Sequence, residues 1–372
     1  MARSGRPGTS APVSPTPAPV SAAPSAEGAA EAAGSAPAPG AAGKPLIIRW
    51  IDLALRLMRT RVVRFGFLAL VLVILGLTLA DEAGTLWHEA QRLSVPVVLL
   101  AFALSIAGLF FNMMVWRELI TDLGSPLSVA EAWRIFFIGN VSKYVPGSIW
   151  PVLVQAELGA DHGIPRSRSA VSVLLSYTVM TCSGLVVAAI TLPFAAAGSV
   201  AQYFWVLPLI PVGIAVLSPP VLNRLLRLVL RVSRQPALGD GVSYRGLART
   251  MAWALCAWAT NGLMIYVLMR QLAGDHQGAL LASVGAYALS WVIGFLAVFA
   301  PAGLGVREAV MVAALHSQTT AAIALTVALV QRLLSVVADA ATGGVAVGLI
   351  GRRQLRRLRA ARQVPGQEDS PA

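Results

Sequence analysis

"VPVVLLAFALSIAGLFFNMMVW", residues 95–116, carries no charged side chain, and its only hydrogen-bonding side chains near membrane depth are Ser105, Asn112 and Trp116. An α-helix rises ~1.5 Å per residue, so about 20 apolar residues cross the ~30 Å hydrocarbon core of a bilayer. This stretch therefore reads as a transmembrane helix. The same kind of run recurs near 65–80, 169–192, 203–220, 251–270, 279–300 and 321–350. Composition agrees: the chain is 56% hydrophobic and 12% charged, with a mean hydropathy of +0.71. Soluble domains carry about a quarter charged residues. The expected class is all-α, a polytopic integral membrane bundle.

The net charge of +12 raises the question of nucleic acid, and its placement answers it. Basic residues cluster beside apolar runs, as the positive-inside rule describes, and no nucleic-acid module is visible. Residues 44–64 hold Lys44, Arg49, Arg56, Arg59, Arg61 and Arg64 against Asp52. They read as a basic amphipathic juxtamembrane segment on the cytoplasmic side. Loop 81–94 is acidic and is expected outside. Loop 223–250, with six arginines from Arg224 to Arg249, is expected inside, as is the basic tail 351–372. Both termini are then cytoplasmic and the span count is even. A short, interrupted crossing at 304–318 brings it to about eight, with 133–158 as a re-entrant or interfacial segment. The final run, 321–350, is long enough to tilt. Residues 1–43, nearly all Ala, Pro, Ser, Gly and Thr, form a tail that cannot build a core.

Two stretches interrupt the apolar pattern. "SKYVPGSIWP", 142–151, brings Lys143, Tyr144, Pro146, Gly147 and Trp150 between apolar runs. "APAGLGVREA", 300–309, brings Pro301, Gly303, Gly305, Arg307 and Glu308. Broken backbone in a membrane survives where protein buries it or where it lines a polar cavity. One break in each half of a polytopic chain points to a transporter site and to a possible inverted repeat. Lys143 would offer a point charge to a lipid phosphate, and Arg307 a bidentate partner. Tyr144 and Trp150 suit the headgroup boundary. Glu308 would balance Arg307 or receive a cationic group. The plainer alternative is an interfacial loop from which Lys143 snorkels to phosphates. Of the basic residues only Lys44 and Lys143 are lysines, so arginine is the default base here.

The last span holds Arg332 and Asp339, seven apart on about one helical face. Each costs roughly 2.5–3.5 kcal/mol at the bilayer centre when unpaired, so both should face the bundle interior. Arg332 serves either a substrate or an ion pair such as Arg332 with Glu308. Gly344 and Gly348 match a small-xxx-small packing motif. Cys182 and Cys256 lie in apolar runs and read as small hydrophobes. His88, His162, His276 and His316 are scattered, so no metal site is expected. Glu157, Asp161 and His162 read as a solvated loop. "GLGVRE" lacks the third glycine and the strand of a dinucleotide site, and no Walker motif or hydrolytic triad is present. No cofactor is expected, and the chain is expected not to be an enzyme. An enzymatic reading would need a catalytic acid, with Glu308 and Glu157 the only candidates.

The segments "KYVPGSIWPV" and "FAPAGLGVREAVM" resemble the transmembrane, flippase-like region of lysylphosphatidylglycerol synthases and the stand-alone proteins built from it. The resemblance covers about 90–350 and includes Arg332, where the family tends to carry a basic residue. Asp339 lies outside that pattern. The resemblance implies a multi-pass inner-membrane protein that moves an anionic or lipid-linked substrate (phospholipid or polyprenyl type) between leaflets. It implies membrane lipids as partners, and the two broken segments with the last span make Lys143, Tyr144, Pro146, Gly147, Trp150, Gly303, Gly305, Arg307, Glu308 and Arg332 the residues expected around the substrate. The segment beyond 350 is too short for the soluble synthase domain, so aminoacyl transfer is not expected. The alternative is a non-transporting scaffold for a cell-envelope glycosyltransferase or lipid synthase, an envelope-biosynthesis enzyme partner.

Overall fold

Long apolar runs leave the backbone no partner in lipid except itself, and the outcome is helical throughout the described residues. The computed structural model describes residues 84–144, 150–195, 207–232, 241–297 and 303–362. Among them the chain forms α1 (Val95–Asp122), α2 (Val129–Val141), a 3-10 turn (Ser142–Tyr144) and α3 (Trp150–Ala160). Then come α4 (Arg166–Thr191), α5 (Leu209–Val216), α6 (Pro219–Val232) and α7 (Tyr244–Ala273). The series ends with α8 (Ala279–Leu296), α9 (Val306–Leu315) and α10 (Ala321–Arg362).

Five of these helices are long and apolar enough to cross a membrane: α1, α4 with its 3-10 extension to Phe194, α7, α8, and α10 over Ala321–Leu349. The expected spans near 95–116, 169–192, 251–270, 279–300 and 321–350 thus fall on helices, while 65–80 lies outside the described residues. The expected span at 203–220 is divided. Its described part holds the eight-residue α5, a turn at Leu217 and Ser218, and the start of α6. The segment 304–318 holds the ten-residue α9.

The expected loop 223–250 is largely helical. In α6, Leu222, Leu226 and Leu230 recur every four residues and are buried, while Arg224, Arg227 and Arg231 are exposed. Three arginines on one side and leucines on the other make an amphipathic helix, which a hydropathy average over the region hides. Arg245 and Arg249 belong to the first turns of α7. Asn223 clamps α6 to the approach of α7: its Nδ2 donates to the Val242 carbonyl at 3.0 Å and its Oδ1 accepts from the Val242 N–H at 2.7 Å. The expected loop 81–94 is helical over 84–91, and the tail beyond 350 continues α10 to Arg362. The tail 1–43 and the basic segment 44–64 lie outside the described residues.

Packing is tightest where side chains are small. α1 lies along α7, and Gly108 of α1 leaves room for the Asn261 amide, which donates to the Ala257 carbonyl of its own helix at 2.8 Å. Asp122, at the end of α1, accepts from the Ser243 N–H at 2.6 Å and the Ser243 hydroxyl at 2.8 Å, which fixes the start of α7. Trp258 of α7 is buried against Gly184 of α4, and its indole N–H donates to Ser183 Oγ at 3.0 Å. From Trp258 an aromatic row runs through Trp291 and Phe295 of α8 to Tyr177 of α4, with ring centroids 5.2–5.5 Å apart at each step. Gly344 and Gly348, the small-xxx-small pair, are exposed and pack against no other helix of the described residues. A Cβ on either would meet open space, and Gly343 is the glycine packed, against Val141 of α2. Cys182 packs partly buried against the core, whereas Cys256 is exposed on α7, and both thiols are free.

Candidate functional site

α2 starts with a reciprocal cap. Ser128 Oγ accepts from the Glu131 N–H at 3.3 Å, and Glu131 Oε2 accepts from the Ser128 N–H at 3.0 Å. The helix ends at Val141, and the 3-10 turn that follows carries Lys143 and Tyr144. Both α2 and α3 are short, with 13 and 11 residues. Neither half crosses a ~30 Å core at ~1.5 Å per residue. The second broken pair is α8 and α9, with Gly303 and Gly305 between them at φ 72° and 78°. Those dihedrals lie in the region glycine enters without a Cβ penalty.

Between these two pairs and the flanking spans lies a cavity of about 460 Å³. Lys143 and Tyr144 line it from the first break, Gly303 and Arg307 from the second, and Arg332 and Asp339 from α10. Asn140 of α2 and Tyr287 of α8 complete the polar wall, while Phe136, Leu174, Trp291 and Phe295 give an apolar one. Charged residues far apart in sequence, with Pro/Gly-rich backbone between them, meet in one hollow.

The charges are distributed unevenly. Asp339, 2% exposed, receives three donors: Lys143 Nζ at 2.7 Å, the Tyr144 hydroxyl at 2.6 Å and Asn140 Nδ2 at 2.6 Å. Lys143 also donates to Asn140 Oδ1 at 3.3 Å. On the other side Arg332 Nε lies 3.8 Å from Glu308 Oε1. Glu308 is buried, and its second oxygen has no hydrogen-bond partner among the described residues. Pairing offsets the cost of placing these four charges at membrane depth. Arg307 has no such counter-ion among the described residues. Its guanidinium stands over the Tyr287 ring at 5.9 Å, and its Nε has no hydrogen-bond partner among the described residues.

Two glycines hold Arg307 in place. A Cβ at Gly294 would collide with Arg307 Cγ, and one at Gly303 would come within 2.9 Å of both Cγ and Cδ. The aliphatic stem of Arg307 therefore runs between two bare backbones and delivers its head group to the cavity.

The residues named from sequence divide into three groups. Lys143, Tyr144, Gly303, Arg307 and Arg332 line the cavity. Glu308 and Gly305 support it: Glu308 stands beside Arg332, the ion pair weighed from sequence, and Gly305 caps α9. Trp150 opens α3 at 41% exposure, outside the cavity lining. Pro146 and Gly147 lie outside the described residues. The sequence reading missed Asn140, Tyr287 and Gly294 and left Asp339 without a role. The solvated loop expected at 157–162 holds in part. Asp161 and His162 form a turn, but Glu157 sits in the last turns of α3, paired to Arg166 at 2.8 Å with both side chains exposed.

The family model for the lysylphosphatidylglycerol synthase TM region matches residues 63–343, which include every cavity-lining charge. The chain belongs to this family. No curated protein sequence matches it. As a member of the lysylphosphatidylglycerol synthase TM region family, it is a multi-pass membrane protein associated with lipid-related processes. Both broken segments fall within the family match.

Proposed function

We propose that this protein is a lipid flippase that moves an anionic or lipid-linked substrate between the leaflets of the cell membrane, with both termini in the cytoplasm. The observation that carries the reading is Arg307. A guanidinium with no counter-ion among the described residues, in a cavity with one polar wall and one aromatic wall, suits a headgroup bearing phosphate, with its acyl or prenyl chains on the apolar side. Arg332 adds a second cation to the cavity lining, and two broken segments in one polytopic chain suit a transport site.

The test is translocation of a fluorescent phosphatidylglycerol by the purified chain in vesicles. Arg307→Ala should cut the rate at least tenfold while the protein still folds and inserts. A wild-type rate in Arg307→Ala would refute the proposal. The scaffold reading, with an envelope-biosynthesis enzyme as partner, finds support in the exposed arginine side of α6. It predicts co-purification of that enzyme and no translocation by the pure chain.

A further inference from the structure

Lys143 and Arg307 share the cavity but not the same state. Arg307 faces it without a counter-ion among the described residues, whereas Lys143 is already committed to Asp339. The donors on Asp339 form a compact set: an ammonium, a phenol and an amide, all within 2.7 Å of one carboxylate. A phosphodiester oxyanion makes the same demand as a carboxylate, short charge-assisted hydrogen bonds from several converging donors. The set comes from residues 140–144 at the first broken segment, while its acceptor comes from α10. The seat and its occupant thus lie on different elements and can separate without unfolding either.

We propose that Asn140, Lys143 and Tyr144 form a second oxyanion seat, and that the Asp339 carboxylate fills it until a substrate phosphate displaces it. This rests on the transport reading and adds to it an internal competitor. The anion meets Arg307 first, then takes Lys143 from Asp339. Occupancy of the seat by substrate frees Lys143 and Tyr144 from Asp339 of α10, while Val141 stays packed on Gly343. Asp339 is then a specificity-determining residue: a neutral headgroup cannot displace it, and an anionic one can.

The experiment uses the full chain in phosphatidylcholine nanodiscs with fluorescent phosphatidylglycerol as probe. Asp339→Asn removes the competitor's charge and should tighten binding about tenfold, with Asp339→Glu remaining near wild type. Unchanged or weaker binding by folded Asp339→Asn overturns the proposal. A second measurement needs no change at the pair. Lys44 and Lys143 are the only lysines, so Lys44→Arg protein labelled with 13C-lysine reports Lys143 alone by NMR. Its side-chain signal should move when phosphatidylglycerol binds; a signal that stays at its lipid-free position while lipid is bound overturns the proposal. Movement with inorganic phosphate alone identifies the seat as reading the free oxyanion, and movement only with phosphatidylglycerol identifies it as reading the lipid headgroup. Both support the seat. Failure of the transport reading looks different: Lys143 responds, but no lipid crosses.

Discussion

Arg307 illustrates how much a single side chain depends on atoms that are missing around it. Its stem passes Gly294 and Gly303, and a methyl at either position collides with it. Gly294→Ala should destabilise the protein by about 1–3 kcal/mol, the usual cost of overpacking. It should also push the guanidinium out of the cavity. Thermal unfolding in detergent measures the first effect and vesicle translocation the second. A Gly294→Ala protein with both properties unchanged would show that the stem has room to move. Arg307→Lys keeps the charge and loses the planar fork, so it should translocate a phosphate-bearing lipid more slowly than wild type and faster than Arg307→Ala.

At this scale the sequence was informative where a residue breaks a local rule. Lys143, Arg307 and Arg332 are charges beside or within apolar runs, and such charges need a reason. Asp339 broke the same rule and was noticed, but its partners lie about two hundred positions away, which no spacing reveals. Asn140 carried a faint signal as an amide closing an apolar stretch. Gly294 carried none, because a glycine within a span has many ordinary reasons to be there.

At the scale of elements, the ends of the helices decide where the site lies. The reciprocal cap of Ser128 and Glu131 sets where α2 begins, and so where Asn140 emerges. Removing it by Ser128→Ala should cost about 1 kcal/mol, read as a lower melting temperature. Hydrogen bonds from the Ser128 hydroxyl, and then from its backbone N–H, hold the Glu131 carboxyl below its ordinary value of 4.5. A carboxyl depressed in the folded state stabilises the fold above its unfolded value, and that contribution fades as pH falls through the folded one. The stability difference between wild type and Ser128→Ala should therefore be full at neutral pH and shrink below about pH 4.5. A difference constant down to pH 3 would assign the effect to the hydroxyl alone.

The elements were legible in proportion to how local their cause is. An uncharged run long enough to cross a bilayer is a property of adjacent residues, so α1, α4, α7, α8 and α10 could be read directly. The division of 203–220 and the amphipathic face of α6 depend on which side of a helix each residue takes. Arg224, Arg227 and Arg231 looked like loop charge because the leucines between them were not assigned to a buried face.

Across the whole molecule, the prediction is about sidedness. If both termini are cytoplasmic, single cysteines placed in 1–43 and 363–372 of a cysteine-free background should both react with an impermeant thiol reagent from the cytoplasmic side only. Reaction of the two ends from opposite sides would require an odd number of crossings. Asp122 ties α1 to α7 through Ser243, and Gly246 leaves it space, since a Cβ there would strike the carboxylate. Gly246→Ala should therefore loosen the contact between two spans at once, seen as a melting transition at least a few degrees lower.

The brevity of α2, α3 and α9 has a consequence for the lipid itself. At ten to thirteen residues each, these helices reach only about half to two-thirds of the way through a fluid acyl layer. Where such short helices border lipid, the bilayer dimples to meet their polar ends or water follows them inward. Under the proposed transport, a headgroup travelling along that wall would face a shorter dielectric barrier than the full oily slab presents. If the proposed transport holds, its rate should therefore depend only weakly on acyl-chain length.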